Sequence, residues 1–242
     1  SNRFKSAAFG AVATALIQSS SLLMVTMIGL INADLMTVTQ AISVMLGQEI
    51  GTTLTAQVVA FHVGDFRLIL VILGLVFLEF FKKRDWKKYG EIMMGLGIVF
   101  IGMGVMSSAL SALVEIPWVG QALLLLGEYT WMGILAGIVL TALTQSSTAV
   151  TSLVVAMGLS QVISLEGAVG VILGANIGTC VTGLVASLKL SSTSRQASLA
   201  QIIINFVGVL IFLPFIRPFT ILMQGSSPAL PRQIANAHTV FN

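Results

Sequence analysis

Residues 14–21 read TALIQSSS, and residues 141–148, which lie 127 positions further along the chain, read TALTQSST. The same offset aligns LGQEIGTTLT at residues 46–55 with LGANIGTCVT at residues 173–182 without a gap. We call residues 18–21 and 145–148 the first and second Gln-Ser-Ser motifs, and residues 46–55 and 173–182 the first and second glycine blocks. Two separated blocks that keep one register indicate a duplicated structural unit.

The composition predicts an α-helical membrane protein. Of 242 residues, 56% are hydrophobic and only 9% are charged, whereas roughly 25% are charged in a soluble domain. A membrane-spanning helix needs about 20 mostly apolar residues, while the strands of a transmembrane barrel alternate apolar and polar positions. No such alternation is seen here. The candidate apolar stretches are residues 7–31, 38–61, 68–81, 92–114, 132–159, 167–188 and 199–216.

Loop charges indicate that the two copies are inverted. A basic run at residues 82–88 predicts a cytoplasmic loop. One span separates it from the nearly neutral segment 62–67, which is therefore expected outside. The equivalent segment of the second copy, 189–194, contains Lys189 and is followed by Arg195, so it is expected inside. Corresponding loops on opposite sides mean inverted repeats, the architecture of many secondary transporters.

The expected organisation follows from this topology. Residues 1–91 hold the first repeat with the following span and the basic loop, residues 92–128 a connecting span and loop, and residues 129–242 the second repeat and C-terminal helices. We expect a multi-pass protein of the inner (plasma) membrane, with a cytoplasmic loop that carries Lys82, Lys83, Arg84, Lys87 and Lys88. The net charge of +3 gives no sign of nucleic-acid binding, and the single cysteine, Cys180, offers neither a disulfide framework nor a metal cluster.

A shorter echo relates residues 195–205 to residues 232–242. Both segments begin with Arg-Gln, carry an alanine at the same position and end in asparagine, at Asn205 and Asn242. Because the chain stops directly after the second copy, we expect the natural protein to continue beyond Asn242.

The Gln-Ser-Ser motifs are the candidate anion site. A polar run inside an apolar stretch is costly in hydrocarbon unless it is paired or wet, so each motif predicts a broken helix or a re-entrant hairpin. Helix ends at such a break offer N–H groups to an anion and carbonyls to a cation. Neither motif contains Lys or Arg, so neutral donors would hold the anion and co-bound cations would offset its charge. The two motifs are expected to converge near the membrane middle. The candidate residues are Gln18, Ser19, Ser20, Ser21, Gln145, Ser146, Ser147 and Thr148.

The glycine blocks supply candidate cation ligands. Hard cations prefer oxygen ligands, and Glu49 is the only acidic residue deep within the stretch 38–61. An intramembrane carboxylate predicts a functional role; a structural pair or a protonated acid is the competing interpretation. The candidate sodium ligands are Gln18, Gln145, Glu49, Thr52, Asn176 and Thr179.

The paired motifs, the GANIGT sequence at residues 174–179 and the AHTVFN sequence at residues 237–242 resemble the sodium/phosphate cotransporter family, with its bacterial members and its animal type II transporters. The resemblance covers both repeats. It implies a sodium-driven importer of inorganic phosphate with anion and cations at the repeat interface, and no cofactor besides the sodium coupling ions. Some bacterial relatives append a regulatory domain, which would lie beyond this chain. The first glycine block departs from the family pattern at Gln48 and Glu49, which leaves the sodium stoichiometry open.

Three alternatives accompany this hypothesis. A sodium- or proton-coupled carrier could take another small oxyanion, such as sulfate or arsenate, or a carboxylate. An intramembrane enzyme would need a nucleophile beside a base, and no His, Asp or Lys accompanies either motif; we therefore predict that the protein is not an enzyme. A structural or receptor subunit would leave the matched polar motifs unexplained.

Overall fold

The computed structural model describes residues 2–61 and 66–242, and every regular element within them is helical. The predicted all-α fold is therefore confirmed. The helices are α1 (Arg3–Ile17), α2 (Ser20–Asn32), α3 (Val38–Val59), α4 (Phe66–Phe80), α5 (Arg84–Val114), α6 (Pro117–Glu128), α7 (Thr130–Thr144), α8 (Ser147–Leu159), α9 (Leu165–Ser187), α10 (Ser192–Phe212), α11 (Ile216–Gln224) and α12 (Leu230–Phe241), with a 3₁₀ turn at Leu213–Phe215.

Several helices are long and apolar enough to lie in a membrane. Among the described residues, three segments could cross it by length and composition: Arg84–Val114, Leu165–Ser187 and Ser192–Gln224, the last of which runs through the 3₁₀ turn. Many large apolar side chains on α1, α4, α5 and α10 face outward, as lipid contact requires. The long apolar helices are those of a membrane protein, and the buried core is concentrated around α2, α8 and α9.

Glycines allow α1 and α3, and likewise α7 and α9, to pack with their backbones in direct contact. A Cβ atom added to Gly47 would overlap the carbonyl of Ala7, and one added to Gly174 would overlap the carbonyl of Ile134. These two pairs are related by the same offset of 127 residues as the motifs. The close packing of small residues explains why glycines recur inside the apolar stretches.

The short helices cross between the two halves of the chain. Helix α2, from the first half, packs against α9, and α8, from the second half, packs against α3. Helix α12 then packs against α3, α8 and α9, and α10 contacts α2, α3 and α9. The C-terminal helices therefore touch both halves, which brings their polar side chains to the site described below.

The basic run at residues 82–88 is not a loop throughout. Helix α5 begins at Arg84, so Arg84, Lys87 and Lys88 lie in its first turns and only residues 81–83 connect it to α4. Arg and Lys are good helix formers, and Asp85 in the first turn suits the positive end of the helix dipole. The prediction of a loop was wrong for these residues. Of the segment 62–67, residues 62–65 lie outside the described part, and the rest begins α4.

Candidate functional site

Each Gln-Ser-Ser motif forms the same break between two helices. Gln18 ends α1 with a left-handed backbone (φ 59°), and Gln145 ends α7 in the same conformation (φ 53°). In both cases the glutamine N–H donates to a threonine carbonyl four residues back at 2.7 Å, that of Thr14 or Thr141. A positive φ is uncommon for a residue other than glycine, so its appearance at both positions indicates a conformation that the surrounding structure enforces.

The serines that follow begin the next helix in each half. The Ser19 hydroxyl oxygen accepts a hydrogen bond from the Leu22 N–H at 3.2 Å and caps α2. The Ser146 hydroxyl accepts from the Ala149 N–H at 3.2 Å and caps α8. Ser20 and Ser147 come next as the first helical residues, and both are buried. The candidate residues thus occupy matching positions at two helix N-termini.

The two breaks lie next to each other in space. The hydroxyl of Ser21 donates a hydrogen bond to the backbone carbonyl of Gln145 at 3.2 Å, which joins the two motifs across 124 residues of sequence. Gln18 points toward α3, where its side-chain Oε1 accepts a hydrogen bond from the hydroxyl of Thr55. The paired helix N-termini and neutral donors are a chemically suitable cradle for an oxyanion.

Glu49 and Asn176, which the 127-residue offset makes equivalent, line one cavity of about 380 Å³. Asn242 connects them: it accepts from the Asn176 side-chain amide at 2.6 Å and donates to the Glu49 backbone carbonyl at 3.3 Å. The Glu49 carboxylate accepts from the side-chain amide of Gln201 at 2.8 Å. The structure therefore brings these two candidate ligands together through residues of the C-terminal helices.

Thr52 on α3 and Thr179 on α9 are buried, but each hydroxyl donates its hydrogen bond to a backbone carbonyl of its own helix. Thr52 donates to the Glu49 carbonyl at 2.6 Å, and Thr179 donates to the Ala175 carbonyl at 2.9 Å. These bonds are typical of threonine in a membrane helix, and they leave the hydroxyl oxygen able to accept or to coordinate. Neither threonine lines the 380 Å³ cavity, so their role as sodium ligands stays a prediction.

Sequence reasoning did not assign any site role to Gln201, Asn205, His238 or Asn242. The Asn205 side-chain amide donates to the Asn176 carbonyl at 2.8 Å, and Asn242 contacts His238 Nε2 at 2.9 Å. The signal that could have found them is the echo of residues 195–205 in residues 232–242. It aligns Gln201 with His238 and Asn205 with Asn242 in the sequence. All four residues are buried or line the cavity.

Comparisons with known proteins agree with the motifs. A family described as Na+/Pi-cotransporter matches residues 1–108 and 117–225 of the chain. No solved structure matches it.

Two bacterial relatives cover nearly the whole chain, and a human relative covers about a third of it. The "Uncharacterized protein YqeW" of Bacillus subtilis (strain 168) is 31% identical over 232 residues, 96% of this chain and 75% of the relative. The "Putative inorganic phosphate export protein YjbB" of Salmonella typhimurium is 24% identical over 229 residues, 95% of this chain and 42% of the relative. The human "Sodium-dependent phosphate transport protein 2B" is 36% identical over 89 residues, 34% of this chain and 13% of the relative. The chain thus spans under half the length of the YjbB relative.

Proposed function

Because the chain belongs to the Na+/Pi-cotransporter family, we propose that it is a secondary transporter that moves inorganic phosphate into the cell together with sodium. The family consists of transporters, in agreement with the expectation that this protein is not an enzyme. The resemblance seen in the two motifs and the glycine blocks is confirmed by the family match over most of the chain.

The observation that carries this proposal is the hydrogen bond from Ser21 to the Gln145 carbonyl, which puts two helix N-termini side by side. We propose that phosphate binds there, with the hydroxyls and amides of Gln18, Ser19, Ser20, Ser21, Gln145, Ser146, Ser147 and Thr148 as the candidate contacts. An anion at a helix N-terminus is stabilised by free N–H groups and by the helix dipole. Neutral donors hold such an anion less tightly than a guanidinium pair would, which suits a carrier that must release its cargo.

The inverted-repeat architecture is part of the same proposal, with the first repeat in residues 1–91 and the second in 129–242. The support is the matched packing of α1 on α3 and α7 on α9, with α2 and α8 each crossing to the other half. In inverted-repeat transporters the site forms where the two repeats meet. Sodium is proposed to bind near the same interface, with ligands among Gln18, Gln145, Glu49, Thr52, Asn176 and Thr179.

The direction of transport and the choice of coupling ion decide between this proposal and its alternatives. The test is uptake of radiolabelled phosphate by liposomes that contain the full-length protein, under an inward gradient of sodium, of potassium or of protons. We expect uptake with sodium alone and inhibition by excess unlabelled phosphate but not by sulfate. Uptake driven by protons, or equal inhibition by sulfate, would instead favour the other carrier classes. Because the YjbB relatives are named as export proteins, phosphate efflux under an outward sodium gradient is measured in parallel.

We further propose that the protein lies in the inner membrane with Lys82 and Lys189 on the cytoplasmic side. Cys180 is buried and is the only cysteine, so Cys180→Ala gives a background for labelling. Cysteine placed at Lys82 or at Lys189 should react with a membrane-impermeant maleimide in inverted vesicles and not in intact cells. Labelling of the two positions from opposite sides would contradict the inverted arrangement.

A further inference from the structure

A second, much smaller cavity lies between the first glycine block and α10. Its volume is about 10 Å³, which is about the space that one water molecule or one unhydrated ion requires. It is lined by Met45, Leu46, Glu49, Gln201, Ile204 and Asn205.

The polar lining of this cavity includes one buried amide oxygen that accepts no hydrogen bond in the described part of the chain. Gln201 is only 2% exposed, and its amide nitrogen is engaged by the Glu49 carboxylate at 2.8 Å. Its Oε1 has no hydrogen-bond partner in the described part of the chain. The amide nitrogen of Asn205 is likewise used, by the Asn176 carbonyl at 2.8 Å, which leaves Asn205 Oδ1 as the available atom. Buried polar atoms normally find partners, so the Gln201 amide oxygen beside a carboxylate is in position to coordinate a cation or to accept a hydrogen bond from water.

Charge and size restrict what that ligand can be. Glu49 takes part in no ion pair among residues 2–61 and 66–242, where Lys88–Asp85 is the salt bridge found, so no side-chain cation occupies this place. Oxygen ligands select hard cations, but Ca²⁺ takes 6–8 oxygens and Mg²⁺ keeps several of its waters. A space for one unhydrated ion, with three polar side chains around it, fits a small monovalent cation.

We propose that Glu49, Gln201 and Asn205 form a site for one Na⁺ or Li⁺ ion, with Gln201 both as a ligand through Oε1 and as the group that orients the Glu49 carboxylate. This inference rests on the proposed sodium coupling and assigns to it two residues outside the repeated blocks. The small cavity shares Leu46, Glu49, Ile204 and Asn205 with the 380 Å³ cavity, so the larger cavity provides the access route for the ion. No residue of the Gln-Ser-Ser motifs lines either cavity, which makes this site separate from the proposed phosphate site.

The experiment measures thermal unfolding of the full-length protein in detergent while choline chloride is replaced by NaCl, LiCl or KCl at constant ionic strength. A ligand that binds the folded state raises the unfolding temperature in a saturable way. We expect Na⁺ and Li⁺ to do so and K⁺ to have no effect. Gln201→Leu, which keeps the size of the side chain and removes the oxygen, should raise the half-saturating sodium concentration at least tenfold. Gln196→Leu, on the exposed face of the same helix, should leave it unchanged.

Two further variants keep the test decisive. Glu49→Gln retains an oxygen that Gln201 can bond but removes the charge, so it should also raise the half-saturating sodium concentration, and it replaces Gln201→Leu if that variant does not elute as a monodisperse protein. Asn205→Leu should act in the same direction. Unchanged sodium half-saturation in these variants, or equal stabilisation by K⁺, would overturn the proposal. Phosphate flux is measured separately: if wild-type flux needs sodium while the variants keep the wild-type half-saturation, this site is wrong and the proposed function stands. If the variants lose sodium stabilisation but the wild-type protein carries no phosphate, this cation site stands and the proposed function is wrong.

Discussion

The hydroxyl of Ser21 and the backbone carbonyl of Gln145 lie 3.2 Å apart and join the two Gln-Ser-Ser motifs directly. The pair that the 127-residue offset makes equivalent, the Thr148 hydroxyl and the Gln18 carbonyl, forms no hydrogen bond in the part of the chain that the structure describes. The two breaks therefore share their backbone conformation and their caps but not their contacts with each other.

This asymmetry predicts different effects of two equivalent substitutions. Ser21→Ala removes the hydrogen bond to the Gln145 carbonyl and should lower the free energy of unfolding by about 0.5–1.5 kcal/mol. Thr148→Ala removes no bond between the motifs and should cost less. Thermal unfolding of both purified variants in detergent, without phosphate, checks the difference. Equal destabilisation would mean that the Ser21 bond does not contribute.

Ser20→Ala and Ser147→Ala should each weaken phosphate binding without unfolding the protein. Each removes one hydroxyl donor, and a hydrogen bond to a charged partner contributes about 1.5–3 kcal/mol, which corresponds to roughly tenfold or more in affinity. The measurement is the phosphate dependence of uptake into liposomes at saturating sodium. Ser111→Ala, at an exposed position on α5, is the control. Unchanged apparent affinity in both variants would assign the two serines to helix packing.

Thermal unfolding should distinguish the capping serines, Ser19 and Ser146, from the serines that follow them, Ser20 and Ser147. Ser19→Ala and Ser146→Ala each remove a side-chain cap, so the free energy of unfolding should fall by about 1 kcal/mol per variant. The effect should be visible in detergent in the absence of phosphate, where Ser20→Ala shows little change. A stability loss in Ser20→Ala but not in Ser19→Ala or Ser146→Ala would mean that the two side-chain caps do not contribute to stability.

Glycines at the two helix interfaces should be intolerant of alanine. Gly47→Ala and Gly174→Ala each force a Cβ atom into a backbone carbonyl, and such overpacking costs typically about 1–3 kcal/mol or more. Gly29→Ala and Gly102→Ala are matched helical controls, because an added Cβ would meet no atom within 4 Å. Alanine is the better helix former, so the controls should be neutral or slightly stabilising. The melting temperatures of the four variants decide this.

Sodium activation should depend on pH through Glu49. A proton on the carboxylate removes the negative charge that attracts a cation, so the sodium concentration for half-maximal phosphate uptake should rise as the pH falls. Glu49→Gln should show no such pH dependence. His238 belongs to the same cluster through its contact with Asn242 at 2.9 Å, and His238→Gln controls for its titration. Identical sodium curves for wild type and Glu49→Gln at every pH would exclude the ligand role.

The fold and part of the site could be predicted because they depend on patterns that are local or repeated. Composition alone gives a helical membrane protein, and the offset of 127 residues pairs Glu49 with Asn176, which the structure places on one cavity. Helix α12 lies outside the predicted apolar stretches because its residues are too polar, even though Ile234, Ala235 and His238 are buried. Its contacts with α3 and α9 are tertiary, and no local pattern specifies them. The same holds for Gln201, whose partner Glu49 lies 152 residues away.

The glycine contacts between α1 and α3 and between α7 and α9 have a mechanical consequence. Where two backbones touch directly, no flexible side chain lies between them to change rotamer, so each helix pair must move as one solid body. At the C-terminal ends of α1 and α7, the chain has only a glutamine with left-handed backbone and a capping serine before the next helix begins. Large changes of backbone angle in moving proteins are concentrated in a few residues at element ends. The residues that would hold the phosphate would then also be the hinge residues of the carrier. Phosphate binding would therefore act directly on the backbone angles that change during transport.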